Sequence, residues 1–174
     1  VDGELEVGVV HHVPDGDIYS AVRDEGAYLN DERITVSEVD DLSDALLSTG
    51  FTADSPDEED TFALLRHLLE RTHGIRRFGS AAYDLATVAY GVVDCFYERH
   101  IRPWDVAAGI LIVEEAGGRV TDYEGEDGWK SVREGGNEIV ATNGDADVHD
   151  EVLRLHDEVV ERVGVADEGL RTWK

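Results

Sequence analysis

Three observations predict an α/β chain of the layered α+β kind. The first forty residues carry short alternating runs separated by turn residues, as antiparallel strands do. From residue 75 onward strand-like and helix-like runs alternate, the pattern of helices packed on a sheet. At 174 residues with 41% apolar content, the chain is long enough for one domain with a sizeable core.

The elements follow in order. Leu5, Val7 and Val9 alternate with Glu4, Glu6 and Gly8, the pattern of a strand half buried through its apolar residues. Pro14-Asp15-Gly16-Asp17 is a turn, with proline presetting φ and glycine accepting positive φ. Asp17 to Arg23 returns, so residues 4–23 form a hairpin. Gly26 to Asn30 and Arg33 to Ser37 make a shorter pair around Asn30-Asp31, and Ala45 to Phe51 is an apolar strand.

In the acidic stretch Asp54 to Asp60, Ser55 caps a helix, Pro56 takes its first position and Glu58 completes a capping box. A metal-binding loop is the competing reading of that stretch. Phe62, Leu65, Leu68 and Leu69 give the helix its apolar face, and it stops before Gly74. A short strand at Ile75, a helix over 81–90, a strand over 93–98, a helix over 104–116 and a strand over 119–123 come next. Residues 124–136, polar and glycine-rich, read as a surface loop. Glu138 to Thr142 is a strand, and Ala146 to Val163 a helix with Val148, Val152, Leu155, Val159 and Val163 in one stripe. A single domain over 1–165 and a loose tail over 166–174 complete the expectation.

Composition excludes several function classes. The net charge is −25, and lysine occurs only at Lys130 and Lys174, so a basic nucleic-acid footprint is absent. Self-repulsion of this size suits high salt, where the Debye length falls to roughly 3 Å at about 1 M; a halophilic cytoplasm is expected. No apolar run approaches the roughly 20 residues needed to span a bilayer, and no basic-then-apolar leader opens the chain, so a cytoplasmic protein without a membrane partner is expected. Cys95, the single cysteine, is expected to be a small buried hydrophobe. His11 and His12 are adjacent and in a strand face opposite ways, and surface positions are expected for most histidines. Neither a zinc site nor a Ser-His-Asp triad is supported, and no phosphate-binding glycine motif of the nucleotide type occurs.

The segment Arg102-Pro103-Trp104-Asp105 opens a long, mostly apolar helix that ends at Gly117-Gly118. An aspartate in a first helical turn is commonly a cap. Held rigidly, it is also an oxygen ligand of the kind Mg²⁺ takes together with water and substrate phosphate.

Trp-Asp-x-Ala-Ala-Gly-x-x-Ile-Val-x-Glu-Ala-Gly-Gly, from Trp104 to Gly118, resembles the C-terminal signature of the inositol monophosphatase family. The likeness extends to Gly79-Ser80-Ala81-Ala82-Tyr83-Asp84-Leu85-Ala86, to Val93 through Glu98, and to the opening hairpin. By that resemblance Asp105 is a ligand to catalytic Mg²⁺, Glu98 bonds substrate hydroxyls, and the backbone at Gly79, Ser80 and Ala81 contacts the sugar. The resemblance also implies the layered sandwich of sugar phosphatases, hydrolysis of inositol-1-phosphate or fructose-1,6-bisphosphate, and a homodimer. The family's earlier glutamate ligand and its Asp-Pro-x-Asp-Gly-Thr motif have no counterpart here, and Asp2-Gly3 reads as a turn into the hairpin. The chain therefore resembles the C-terminal part of the fold without its metal loop. No catalytic residue is assigned, and the chain alone is expected to be inactive. The alternative is a non-catalytic remnant or interaction module that keeps the fold.

Overall fold

Nine strands and five helices form two sheets with helices between and outside them in a computed structural model that describes residues 2–51 and 58–171. The first sheet is an antiparallel meander of β1 (Val7–His12), β2 (Asp17–Val22), β3 (Gly26–Leu29) and β4 (Glu32–Ile34). The chain then enters β5 (Leu46–Gly50), α1 (Glu58–Leu69), β6 (Gly74–Arg76), α2 (Ala81–Ala89), β7 (Cys95–Arg99) and α3 (Pro103–Glu115). It finishes through β8 (Arg119–Thr121), α4 (Gly128–Arg133), β9 (Glu138–Thr142) and α5 (Ala146–Arg171). The second sheet runs β6-β5-β7-β9-β8, with β5 parallel to β6 and β7, and β9 antiparallel to β7 and β8.

Strand alternation makes this sheet the divider between two cores. Phe96, Ile139 and Ala141 face the core shared with α2, α3 and the first sheet, whereas Cys95, Tyr97 and Val140 face the core shared with α1 and α5. Helices α2 and α3 thus form a central layer between the sheets, and α1 pairs with α5 outside. Cys95 is fully buried, as expected, and burial pushes its thiol pKa well up.

Four expectations need correction. Along β1 the apolar alternation runs the other way: Val7 and Val9 are 66% and 55% exposed, and Gly8 is buried instead. The reason is packing, since a Cβ on Gly8 would lie 2.7 Å from the Ala108 carbonyl oxygen of α3, so the narrowest residue takes the inward place. Val22 and Ile18, paired in register with Val7 and His11, share the outer face.

On α1 the buried residues are Leu64 and Leu68, while Phe62 and Leu69 are exposed, because the helix turns its face to α5. The capping residues expected at 55 and 56, and the metal loop weighed there, lie outside the described residues.

The expected loop over 124–136 contains α4. Asp127 caps it by accepting from the Lys130 N–H at 2.7 Å. Trp129 Nε1 and Arg133 then both donate to the Gly3 carbonyl, a tertiary anchor 126 residues away for Trp129.

The fourth correction is the last helix, which continues to Arg171, beyond the expected end at Val163. Of the histidines, His149 and His156 are buried and the other five are not, in keeping with surface positions for most.

Candidate active site

The Ala107-Ala108-Gly109 step of α3 is what lets the site assemble. A Cβ on Gly109 would fall 2.6 Å from the Leu85 side chain, so α2 and α3 approach as only glycine permits. One residue earlier, Ala108 meets Gly8 of β1. The two contacts bring the N-terminal ends of α2 and α3 to the end of β1.

At the head of α3, Arg102 is extended (φ −125°) and Pro103 occupies the first helical position. The Arg102 N–H donates to Asp105 Oδ2 at 2.9 Å. Asp105 is therefore a cap through one oxygen, and its other oxygen is unused by that bond. The side chain is exposed, as is Trp104 at 79%.

A cleft of about 570 Å³ opens here, lined by Asp105, Trp104 and Ala108 of α3, Ser80, Ala82, Tyr83 and Phe78 around the start of α2, and Val9 to His12 of β1. His12 stacks on Tyr83 with ring centroids 4.1 Å apart, and its Nδ1 lies 3.1 Å from Asp15; His11 is exposed, so the pair faces opposite ways as expected. The helix dipoles give both helix starts a positive character suited to an anion.

The turn before α2 depends on Gly79, whose φ is +87° and beside which a side chain would meet open space. Ser80 holds the N-cap position, but its side chain makes no capping hydrogen bond. Ala81, the first helical residue, packs partly into the core.

Glu98, next to last in β7, stands opposite Gly50 of β5, and its carboxyl group lies over Gly50, where a Cβ would come within 2.2 Å of it. It lines a small pocket behind the strand ends with Tyr97, Tyr123 and His156, and is not part of the Asp105 cleft. Electrostatics still connects it to that cleft. Burial pushes the Glu98 pKa up to about 7, the charges of Asp84 and Asp105 add to the rise, and Arg77 opposes it.

Asp84 is the member that sequence reasoning left without a role. It is 1% exposed on the first turns of α2. Burial raises its pKa to about 6 against the pull of the Ser48 hydroxyl, the N–H groups of Ser80 and Phe78, and Arg77. A carboxylate amid Leu85, Ala86, Val88 and Ala89 was the available signal.

As a metal donor set the described residues are incomplete. None of their His, Cys, Asp and Glu side chains gather in groups of three or more that could hold an ion. Asp105 can supply one oxygen, and by themselves these residues do not form a Mg²⁺ site.

Comparison with known proteins agrees with this architecture. The chain is 46% identical over 142 residues to the putative Nus factor SuhB of Neisseria meningitidis, covering 81% of this chain and 53% of that protein. It is 40% identical over 163 residues to the fructose-1,6-bisphosphatase/inositol-1-monophosphatase of Thermotoga maritima, covering 94% of this chain and 59% of the relative. The solved structure of a Thermotoga maritima IMPase superposes with a TM-score of 0.81 at 38% identity, over 92% of this chain and 59% of that one. The chain thus spans somewhat more than half the length of these relatives. The sequence pattern of one family matches residues 1–161, and the chain belongs to the inositol monophosphatase family.

Proposed function

We propose that the intact protein hydrolyses phosphate monoesters of sugars or polyols, inositol-1-phosphate and fructose-1,6-bisphosphate foremost, and that this chain supplies its C-terminal part. The observation that carries the reading is Asp105: a rigidly capped, exposed carboxylate with one oxygen to spare, at a cleft where two helices begin. Mg²⁺, when bound, activates water and neutralises phosphate charge, and Asp105 would contribute one ligand to it. Glu98 would accept hydrogen bonds from neighbouring hydroxyls, and the Gly79–Ala81 backbone would lie against the ring. With one such carboxylate, this chain alone is proposed to be inactive. A cytoplasmic homodimer is the proposed state of the whole protein, adapted to high salt by its charge of −25.

A second reading is a non-catalytic interaction module. The incomplete donor set favours it, and so does the name Nus factor borne by the SuhB relatives. One assay separates the two: Mg²⁺-dependent phosphate release from both esters in molar KCl, run on the intact protein. Release that disappears with chelator supports the phosphatase, and no turnover by folded protein sinks it.

A further inference from the structure

Gly50 closes β5 without a backbone reason to be glycine. Its φ lies outside the left-handed region. Inside a strand, glycine weakens the element and leaves a face without a side chain, which suits a place where another group comes close.

The group that comes close is the Glu98 carboxyl. Glu98 stands between its two register partners, Gly50 of β5 and Ile139 of β9. Alternation from Phe96 turns it to the face covered by α2 and α3, the side on which the Gly79–Ala81 turn starts α2. Ile139 is fully buried and fills its side. Gly50 is bare, and the three atoms nearest to a Cβ there would be Cδ, Oε2 and Oε1 of Glu98, at 2.2, 2.2 and 2.3 Å. The carboxyl group thus occupies the space that any other residue at position 50 would fill.

Glycines that serve element packing have other neighbours. Gly8 meets the Ala108 backbone, Gly109 the Leu85 side chain, and Gly118 the Thr142 carbonyl oxygen and Val113. Gly26 lies against the Arg33 guanidinium, but its φ of +91° already calls for glycine. Among the described glycines, Gly50 alone has all three of these nearest atoms in one carboxyl group.

We propose that Gly50 is a positioning residue for the substrate site: bare of a side chain, it admits the Glu98 carboxyl over β5 and fixes where that group meets substrate hydroxyls. This rests on the reading of Glu98 as a substrate contact.

The test has two arms, both on the intact protein. Crystal structures of the parent and G50A are the first. The carboxyl is the movable end of a flexible side chain, so G50A is expected to keep the register of β5 with β7. The Glu98 carboxyl is expected to move by about 1 Å or more, the gap between 2.2 Å and ordinary van der Waals contact. The second arm is kinetic. G50A is expected to raise KM for inositol-1-phosphate about tenfold with kcat changed less than about twofold, as loss of uniform binding does. In E98A, which has no carboxyl to move, adding G50A is expected to change KM less than about twofold. If G50A does not fold, G50A/E98A is expected to fold as E98A does, because the group that the new methyl meets is gone. A carboxyl left in place while β5 shifts overturns the proposal. So does an unchanged KM, an equal rise in both backgrounds, or a double variant that also fails to fold. The crystallographic arm needs no substrate. Absence of turnover in the parent defeats the phosphatase reading, and the position of the carboxyl in G50A still decides the hold of Gly50 on Glu98.

Discussion

Gly8 of β1 lies so close to Ala108 of α3 that a Cβ on it would stand 2.7 Å from the Ala108 carbonyl oxygen. The neighbour is backbone, so no rotamer change can relieve the contact, and α3 must move. Since Asp105 is one turn away on the same helix, the contact also locates the cleft. Replacing Gly8 with alanine is expected to destabilise the fold by about 1–3 kcal/mol, the usual cost of overpacking. Urea unfolding would measure it, and an unchanged midpoint would show that the first sheet can slide without α3.

His149 gives the fold an acid limit. It is 0% exposed, with Thr121 Oγ1 at 2.9 Å from Nε2 and Thr142 Oγ1 at 2.9 Å from Nδ1. Burial, helped by Arg119, lowers its pKa from 6.5 to about 4. The folded form therefore binds the proton less readily than the unfolded chain. Stability from this group is present above about pH 6.5 and is lost as the pH falls toward 4, up to about 3 kcal/mol in all. H149Q should be less stable than the parent at pH 7.5 and show a shallower decline between these limits. Equal slopes for the two proteins would assign the acid limit to other groups.

What could be read in advance divides along physical lines. The strand over 138–142 was legible because both of its faces are buried, so an apolar run suffices to mark it. Alternation in Leu5-Glu6-Val7-Gly8-Val9 gives the period and not the phase. Which face turns inward was decided by α3, a hundred residues away. Helix α4 depends on one cap and on an anchor at Gly3, neither visible as periodicity. In α1, apolar residues at 62, 64, 65, 68 and 69 allow more than one face, and packing on α5 selected Leu64 and Leu68. Asp105, Glu98 and Gly79–Ala81 were nameable by resemblance alone. Asp84 escaped because no motif or periodicity sets it apart, and its burial is set by packing in three dimensions.

Glu98, the proposed contact to substrate hydroxyls, should lower stability. Its folded pKa of about 7 lies above the ordinary carboxyl value of 4.5. The folded state thus holds the proton more tightly than the unfolded one. Stability from the protonated group is fully present below about pH 4.5 and is lost as the pH rises through 7. E98Q mimics the neutral form, so it is expected to be more stable than the parent by about 1–2 kcal/mol at pH 8 and no different at pH 4. Thermal melts at both pH values test this, and a variant destabilised at pH 8 would contradict it.

The cap role of Asp105 and its proposed Mg²⁺ ligation are separable by substitution. Its Oδ2 accepts from the Arg102 N–H, and an asparagine can present the same carbonyl oxygen. D105N is therefore expected to unfold within about 0.5 kcal/mol of the parent, whereas D105A, which removes the cap, should lose about 1 kcal/mol. Mg²⁺ affinity of the intact protein should behave differently. A neutral amide oxygen is a weaker Mg²⁺ ligand than a charged carboxylate, so both variants should bind Mg²⁺ at least about tenfold more weakly, and D105N should do so with its fold intact. Calorimetric Mg²⁺ titration beside urea unfolding resolves the two effects. If D105N bound Mg²⁺ as the parent does, Asp105 would be a cap and nothing more.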